Sequence, residues 1–571
     1  MFVGGTNVLD VAIIGGGPAG STAGALLKKY APDMQVAIFE REVFPRDHVG
    51  ESQLPPISKI LDEMGCWEKV EAANFPIKIG ATYRWGKSKD LWDFFFIRSG
   101  QFEGTSRPGS YEGQRLQTAF QVDRSVYDDI LLNHAEEMGC QVHQGVGVKQ
   151  VSVDGDRVTG LTLTNGDTVE ARHYMDASGN VAVLRKALGV EVDQPGALRN
   201  IAIWDYWDNA EWAETIGVGG TMVQVMSIGS GWIWFIPLSP TRTSIGYICP
   251  AHVYKDAQKS REDLYLDALA QEPLISSLTA NAKREGKLAA TKDWSCLSRR
   301  MAGENWFLIG ETTGFADPIL AAGMTLSHAG AREAAYTILE LDKGNHDPAW
   351  LRDSYAQLQT MRISRHIQFA DFWYAANGQF TDLQDYTAKI AADAGLKLTP
   401  KEAFQWLGTG GFIEDFQGQV GLGSYDVGSI KQVTGLFTDE VPEWELSQYN
   451  VFDLNLDGVG QRKVPNYLKG EIHAKTCLVK DTRILPLVGV TELIFAILQR
   501  HRNIGDIVGA LQAFLAKRNV NATPAQAFMY AIQPLEVMVV AGWVTPNLDP
   551  TQSRLNLSTP ISGEVVRVRQ S

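Results

Sequence analysis

Cysteine is scarce and scattered in this chain. Among 571 residues there are five cysteines, Cys66, Cys140, Cys249, Cys296 and Cys477, and none forms a C-x-x-C pair. An odd number of widely spaced cysteines predicts neither a disulfide framework nor a zinc site. The ten histidines form no H-x-x-x-H pattern, so no metal site is predicted.

Long apolar runs and clusters of positive charge are absent as well. No window approaches the roughly 18 apolar residues of a membrane span, and residues 1–10 lack the features of a signal peptide. The 52 Lys and Arg against 66 Asp and Glu give a formal net charge of −14, whereas nucleic acid and anionic membranes attract basic surfaces. We therefore predict a cytoplasmic protein with no membrane span and no nucleic-acid partner, acting on a small molecule or a protein.

A glycine-rich turn follows the first apolar run. Val8–Ile14 predicts a strand, Gly15-Gly16-Gly17-Pro18-Ala19-Gly20 a turn and Ser21–Tyr30 a helix, and Gln35–Glu40 completes a βαβ unit. In G-x-G-x-x-G the first glycine permits the tight turn, the second lets backbone approach a pyrophosphate, and the third lets helix and strand pack closely. The helix N-terminus stabilises phosphate oxygens.

Glu40 favours one class of dinucleotide. It lies 20 residues after Gly20, where an acidic side chain accepts hydrogen bonds from a ribose 2′-hydroxyl and repels a 2′-phosphate. The unit therefore predicts FAD or NAD rather than NADP.

Later segments indicate a second sheet interleaved with this unit. Aromatic residues at 81–97 and 201–207 predict antiparallel strands, whereas 174–179 and 306–309 predict strands beside the cofactor. Helices are predicted over 57–70, 122–139 and 322–341, and in the tail over 490–500, 504–517 and 524–539. The length favours about two to four compact units. We predict three parts: a cofactor and sheet module (1–345), a mainly helical region (346–469) and an accessory, winged-helix-like unit (470–571).

The most informative stretch is Ser230–Pro237, which contains W-x-W-x-I-P. On a strand Trp232, Trp234 and Ile236 share one face, and the residues between them point to the other. Both faces are apolar, so periodicity alone favours a buried core strand.

Together with the glycine-rich turn, this stretch resembles the signature of flavin-dependent halogenases, which install chlorine or bromine using reduced FAD, oxygen and halide. The resemblance covers residues 8–341. It implies an α/β fold in which an FAD-binding βαβ domain, Rossmann-like and of the p-hydroxybenzoate-hydroxylase type, is interleaved with an antiparallel substrate sheet and followed by a mainly helical C-terminal region. No second glycine-rich unit for NAD(P)H is evident, so a separate flavin reductase is expected to supply reduced FAD.

The resemblance also implies site residues. The family's flavin contacts match Gly15, Gly17, Pro18, Ala19, Gly20, Glu40, Arg41, Arg46, Gly50, Ser52, Arg124, Gly310, Glu311, Asp317 and Gly323, and its halide-binding N–H groups match Ala322 and Gly323. Family members usually have Gly-Asp where this chain has Gly310-Glu311. Surface ion pairing is the simpler explanation of Arg46 and Arg124 taken singly.

Lys78 matches the lysine of the family. There the tryptophan motif separates flavin from substrate, and hypohalous acid crosses to the lysine, so Lys78, Trp232 and Trp234 are the predicted catalytic residues. A lysine ammonium can hydrogen-bond hypohalous acid, and a neutral amine can form a haloamine. A lysine at a strand edge is usually solvated, whereas burial would lower its pKa.

The substrate prediction follows from two residues at which this chain departs from the tryptophan halogenases of the family. Tryptophan halogenases of the family place a glutamate and a serine where this chain has Leu320 and Ala321. Without that carboxylate a cation developing on an indole carbon lacks stabilisation. Electron-rich phenols and pyrroles need less stabilisation, so free tryptophan is disfavoured. The resemblance is therefore closer to the variant halogenases of the family, which act on phenolic, pyrrolic or carrier-tethered natural-product precursors, with chloride and bromide both open.

Two other functions remain open from the sequence. One is a flavin-dependent aromatic hydroxylase or a geranylgeranyl-type isoprenoid reductase of the same fold. The other is a non-catalytic flavin-binding scaffold, which Glu311 and the missing serine keep open.

Overall fold

The computed structural model describes residues 8–97, 102, 106–194, 199–215, 219–292, 294–385, 389–390, 427–437, 443–480, 483–487, 489–517, 524–555, 557 and 566–569. Its strands are β1 (Leu9–Ile14), β2 (Val36–Glu40), β3 (Ile77–Arg84), β4 (Leu91–Phe95), β5 (Ala119–Phe120), β6 (Gln141–Gln144), β7 (Val148–Asp154), β8 (Arg157–Leu163), β9 (Thr168–Val169), β10 (Ala171–Asp176), β11 (Val192–Asp193), β12 (Asn200–Asp208), β13 (Gly220–Ile228), β14 (Gly231–Pro237), β15 (Arg242–Pro250), β16 (Lys283–Arg284), β17 (Ala289–Lys292), β18 (Cys296–Ser298), β19 (Trp306–Leu308), β20 (Gly314–Phe315), β21 (Val451–Leu454), β22 (Gly460–Leu468), β23 (Glu471–Lys480), β24 (Arg483–Pro486), β25 (Val544–Asn547) and β26 (Val566–Arg569). Its helices are α1 (Pro18–Tyr30), α2 (Pro56–Met64), α3 (Trp67–Ala72), α4 (Arg124–Glu137), α5 (Val183–Ala187), α6 (Ala251–Asp256), α7 (Arg261–Gln271), α8 (Pro273–Leu278), α9 (Gly323–Lys343), α10 (Pro348–Ala375), α11 (Val427–Phe437), α12 (Gly489–Leu498), α13 (Ile504–Lys517) and α14 (Pro524–Val540).

The first sheet is parallel and contains the predicted βαβ unit. Its order is β19-β10-β1-β2-β6, and all four neighbouring pairs are parallel. The apolar run of β1 is buried on both faces, because Val11 and Ile13 pack in the cluster of α1 and α9, whereas Ala12 and Ile14 pack against β8. Burial on both faces is why a central parallel strand is continuously apolar.

One helix prediction is wrong in detail. The segment 57–70 forms two helices, α2 and α3, instead of one. Gly65 adopts a φ of 79° directly after α2, a left-handed conformation that ends a helix and is accessible to glycine at little cost.

The second sheet is the predicted aromatic one. From β16 it runs β16-β12-β15-β14-β13-β3-β4, with β17 paired to β12 and β5 to β3. Its pairs in this stretch are antiparallel except β13 with β3, which is parallel, so the sheet is mixed where an antiparallel one was expected. β13 joins β3 only after the chain has passed through the first sheet, and nothing local to either strand fixes their relative direction.

One face of the second sheet is covered by helices. Ile233 and Phe235 of β14 and Ile245 of β15 form a buried cluster with Tyr265 and Leu269 of α7. The residues that alternate with them, including both tryptophans of the motif, therefore lie on the opposite face.

The chain divides into two compact units. The first comprises Met1–Leu396, Tyr467–Ile472 and Arg569–Ser571, and the second comprises Lys397–Asn466 and His473–Val568. Within the first unit, Tyr336 of α9 packs with α10, Tyr467 and Ile472 in one cluster. The predicted boundaries at 345 and 469 stay a prediction.

The second unit contains the three helices predicted in the tail, now α12, α13 and α14. The region predicted as mainly helical also contains β21 and β22, and β21 pairs antiparallel with β25. The winged-helix-like character of the tail stays a prediction. Within the described ranges no helix has both the length and the apolarity needed to cross a bilayer.

Candidate active site

At one position of the glycine-rich turn a side chain would meet no crowding atom of the protein. A Cβ atom on Gly15, whose φ is +104°, would lie 2.4 Å from the Ala177 carbonyl oxygen, and one on Gly20 would lie 1.9 Å from the Gly15 oxygen. At Gly17 the nearest atom would be Nη2 of Arg46, at 3.6 Å. The first and third glycines are thus required by protein packing, whereas the second leaves room for a ligand.

The N-terminus of α1 offers donors to such a ligand. It carries no side-chain cap and no acidic residue in its first turn, so its positive dipole end is not neutralised from within the helix. The Glu40 carboxylate braces the turn, because it accepts from Gly16 N at 2.7 Å and from Glu42 N at 2.9 Å. Its predicted contact with a ribose stays a prediction.

Two of the predicted arginines meet beside this turn. Arg124 forms a bidentate pair with Asp128, at 2.7 and 2.9 Å, and Nη1 of Arg46 lies 3.1 Å from the same carboxylate. Arg124 also donates to the Gly50 carbonyl at 3.1 Å. Neither arginine is an isolated surface ion pair, since Asp128 is fully buried.

Buried polar atoms nearby have no partner in the described part of the chain. They include the Ser52 hydroxyl and both amide atoms of Gln121, and these residues pair as an isolated β-bridge. Leaving buried polar groups unpaired is costly, so the residues present fit a bound polar group such as a flavin. Arg41 differs, because its side chain is 63% exposed and pairs only with Glu42 at 3.2 Å among the described contacts.

The segment from Gly310 approaches the glycine-rich turn from another strand. Gly310 has a φ of +65°, and a Cβ atom there would lie 3.1 Å from the Ala19 side chain. Glu311 follows it, with a carboxylate oxygen 3.8 Å from the Cβ position of Gly179. Desolvation raises the pKa of Glu311, and the positive charge of Arg124 acts against that rise. The structure therefore brings the predicted contacts of both segments together.

The same segment ends at the N-terminus of α9. Asp317 caps a short 3-10 helix by accepting from Ile319 N at 2.9 Å, and Ala321 follows it with a φ of 52°. α9 begins at Gly323 after Ala322, with no side-chain cap and no acidic residue in its first turn. The two predicted halide-binding residues thus lie at an uncapped positive helix end.

Lys78 is buried, with 2% of its surface exposed. Its Nζ donates to the Gln53 carbonyl at 2.9 Å and lies 5.4 Å from the centre of the Phe96 ring. The described contacts of Lys78 include no carboxylate. Desolvation lowers the pKa of Lys78 to about 7, so ammonium and amine are both accessible near neutral pH.

An irregularity in β3 sets the direction of this side chain. Lys78 lies opposite Thr221 and Gly80 lies opposite Met222, so Ile79 is an extra residue in β3. A β-bulge shifts the alternation of side chains by one residue. Strict alternation would instead place Lys78 on the same face as Gly80.

The bulge places Lys78 on the face of the tryptophan motif. Lys78 shares a face with Thr221, its partner in β13, and Val225 lies four residues further along β13 on that same face. Val225 lies opposite Trp234, and Trp232 is two residues from Trp234 in β14. Lys78, Trp232 and Trp234 therefore project from one side of the second sheet, opposite the side that α7 covers.

Both tryptophans are held by hydrogen bonds. Trp234 Nε1 donates to the Ser244 hydroxyl at 3.1 Å, and Trp232 Nε1 donates to the Tyr374 hydroxyl at 2.7 Å. Their ring centres are 6.2 Å apart. The two indoles are thus buried and hydrogen-bonded on one face of a core strand.

Sequence reasoning gave no individual role to three residues of this region. Asp128 could have been found from its i, i+4 spacing to Arg124. Glu51 is buried, accepts from Tyr206 OH at 2.9 Å, and has its pKa raised to about 7 by burial. Tyr374 lies 57 residues from its partner Asp317, and no local pattern marks it.

Comparison with known proteins identifies the family. The model of the family described as tryptophan halogenase matches residues 10–107 and 98–383. This chain belongs to that family. The match continues beyond residues 8–341, which the sequence resemblance covers, and includes α10.

Two curated relatives agree with this assignment. The chain is 30% identical over 377 residues to tryptophan 2-halogenase of Chondromyces crocatus, covering 65% of this chain and 68% of the relative. It is 32% identical over 387 residues to the 1H-pyrrole-2-carbonyl-(peptidyl-carrier protein) chlorinase of Pseudomonas fluorescens, covering 65% and 85%. The protein is accordingly a flavin-dependent halogenase, and flavin dependence implies an FAD cofactor.

Solved structures show the same fold. The myxobacterial chondrochloren halogenase CndH is 25% identical with a TM-score of 0.59, over 76% of this chain and 97% of that chain. CmlS, a flavin-dependent halogenase, is 22% identical with a TM-score of 0.71, over 98% and 99%. The α/β fold with an FAD-binding parallel sheet is thereby confirmed.

Proposed function

We propose that this halogenase uses reduced FAD, oxygen and chloride or bromide to make hypohalous acid, which Lys78 transfers to an electron-rich aromatic compound or a carrier-tethered precursor. The observation that supports this most directly is the burial of Lys78 on the face that carries Trp232 and Trp234. A solvated lysine would lose an oxidant to water, whereas a buried one can hold it beside a substrate.

Each group of residues has a part in this scheme. Gly17, Arg46, Arg124 and the N-terminus of α1 would hold the FAD, which supplies the oxidising chemistry when bound. The N–H groups of Ala322 and Gly323 would receive halide at the uncapped end of α9. Trp232 and Trp234 would separate the organic substrate from the flavin, so that the substrate meets the halogenating agent only at Lys78.

Two residues just before α9 support the proposed substrate class. Ala321 stands where the family's tryptophan halogenases carry a serine, and Leu320 where they carry a glutamate. Phenols and pyrroles need less stabilisation of the developing cation than indole does. The similarity to a chlorinase whose name specifies a carrier-bound pyrrole supports tethered substrates as a second class. We keep a separate flavin reductase and a cytoplasmic location as predictions.

The test combines product analysis with a lysine variant. The protein, reduced FAD, oxygen and bromide are incubated with an electron-rich phenol and, separately, a carrier-tethered pyrrole, and products are measured by mass spectrometry. Lys78→Met should abolish halogenated product while FAD binding stays intact, because the lysine acts after the flavin chemistry. Lys87→Met, at an exposed position, is the matched control and should retain activity.

Two results would contradict the proposal. Hydroxylated product without halogen would favour the aromatic hydroxylase alternative. Halogenation that survives Lys78→Met would show that another residue transfers the oxidant.

A further inference from the structure

A chain of hydrogen bonds connects the tryptophan motif to the segment before α9. Trp232 Nε1 donates to the Tyr374 hydroxyl at 2.7 Å, and that hydroxyl donates to Oδ1 of Asp317 at 3.1 Å. The same Oδ1 accepts from Ile319 N at 2.9 Å. The Tyr374 side chain, on α10, therefore links β14 to the short 3-10 helix that precedes Ala322.

The donors and acceptors fix the direction of this chain. An indole N–H can only donate, so the Tyr374 oxygen accepts from Trp232 and its single proton is left for Asp317. Asn200 Nδ2 also donates to this oxygen, at 3.4 Å, and Trp294 Nε1 donates to Oδ2 of Asp317 at 3.2 Å. The contacts around Asp317 are donors, which suits an ionised carboxylate.

Further contacts hold Tyr374 in place. It lies near the C-terminal end of α10, where the carbonyl of its neighbour Trp373 accepts from Trp85 Nε1 at 2.7 Å. Its ring centre lies 5.8 Å from that of Trp85 in an edge-to-face arrangement. A fixed hydroxyl between two functional segments constrains both of them.

We propose that Tyr374 is a positioning residue for the halide site. Its hydroxyl holds the Asp317 carboxylate in place. Asp317 in turn holds the turn that orients the N–H groups of Ala322 and Gly323. Because Tyr374 also accepts from Trp232, the position of this turn is linked to that of the tryptophan motif. This inference rests on the proposed function, because it takes those N–H groups as the halide-binding ones.

The test is Tyr374→Phe in the full-length, FAD-loaded protein. Losing one buried hydroxyl that joins two segments should raise the apparent KM for bromide about tenfold, while the KM for the phenol and the Kd for FAD change less than about twofold. Tyr355→Phe is the matched control on the same helix. Its hydroxyl donates to the Leu308 carbonyl in β19 at 2.6 Å and not to Asp317. The bromide KM of Tyr355→Phe should stay at the wild-type value.

A second readout does not depend on turnover. Bromide should raise the Tm of the FAD-loaded wild-type protein relative to sulfate at matched ionic strength, and Tyr374→Phe should shift this response to about tenfold higher bromide. Trp232→Phe breaks the same hydrogen bond from its other end. If the Trp232–Tyr374 hydrogen bond is responsible, the loss of bromide affinity in the double variant Trp232→Phe/Tyr374→Phe should be smaller than the sum of the losses in the two single variants.

The outcomes separate the two proposals. Unchanged bromide KM and unchanged bromide response in Tyr374→Phe would overturn the positioning role and leave halogenation intact. A wild-type protein that never halogenates, but whose bromide response depends on Tyr374, would overturn the proposed function and keep the positioning role. An equal loss in Tyr355→Phe would overturn the positioning role, because it would reveal a general weakening of α10.

Discussion

At the scale of single residues, the protein holds a lysine where water is excluded. Lys78 has 2% of its surface exposed, and desolvation lowers its pKa from 10.5 to about 7. Its burial therefore carries an energetic cost that depends on pH. Proteins retain such costs at functional sites more readily than elsewhere.

The pH dependence of stability should report this cost. Between about pH 7 and pH 10.5 the unfolded chain binds a proton at Lys78 that the folded chain does not, so the free energy of unfolding rises with pH in that window. Below pH 7 both states are protonated and the cost is fully present. Lys78→Met should thus be more stable than wild type by about 1–3 kcal/mol at pH 6.5, with the difference shrinking toward pH 10.

Urea unfolding at several pH values measures this difference. Lys87→Met, at an exposed position, should show no such convergence. A difference that stays constant with pH would mean that Lys78 titrates normally in the folded state.

Gly17 allows cofactor binding to be separated from folding. A Cβ atom there would meet only Arg46 Nη2, at 3.6 Å, so Gly17→Val should fold but lose FAD, because the branched side chain occupies the space of the pyrophosphate. The purified variant should be colourless with a Tm near that of the wild-type apoprotein. Gly509→Val, at an exposed site with open space around it, should stay yellow. A yellow Gly17→Val would place the pyrophosphate elsewhere.

At the scale of elements, the position of a tryptophan in β14 depends on the neighbouring strand β15. Trp234 of β14 lies opposite Gly246 of β15, and a Cβ atom on Gly246 would lie 2.1 Å from the Trp234 ring. The indole therefore lies across the backbone of β15. The position of the ring depends on a glycine in a different strand from the motif.

Gly246→Ala should displace this ring. We expect a loss of about 1–3 kcal/mol in the free energy of unfolding, typical of an overpacked core. We also expect less halogenated product per reduced FAD consumed, because a displaced Trp234 would separate the substrate from the flavin less well. Urea denaturation and product yield measure the two effects. Gly160→Ala in β8, whose Cβ atom would make an ordinary 3.4 Å contact, is the control. Wild-type stability and yield in Gly246→Ala would show that the ring position tolerates the shift.

At the scale of the whole molecule, one parallel sheet carries one glycine-rich turn. A second such unit for NAD(P)H is not seen in the described part of the chain. NADH and FAD without a reductase should therefore give no halogenated product, whereas photoreduced FAD or an added flavin reductase should restore it. The assay is product formation with each electron source. Product from NADH alone would reveal a reductase activity within this chain.

The sequence predicts local elements well and their arrangement less well. The strands β1 and β2, the helix α1 and the three tail helices follow from periodicity and turn residues. The prediction of a single helix over 57–70 is wrong at Gly65, because the left-handed conformation of this residue ends the first of two helices. The second sheet is antiparallel as expected except for the pair of β3 and β13, which is parallel, because the direction of a long-range pair has no local signal.

By itself the sequence determined the family to which the chain belongs and predicted the residues of its site. The glycine-rich turn, the W-x-W-x-I-P strand and Lys78 belong to short sequence patterns. Such patterns can be recognised from the order of residues, because the backbone requirements behind them are local. Only the tertiary structure decided how they face one another. The bulge at Ile79 places Lys78 on the face of the second sheet that carries the tryptophans. Asp128 binds two arginines, and Tyr374 contacts Asp317, 57 residues away in sequence. Such contacts form between segments distant in sequence, so their geometry exists only once the sheets have packed.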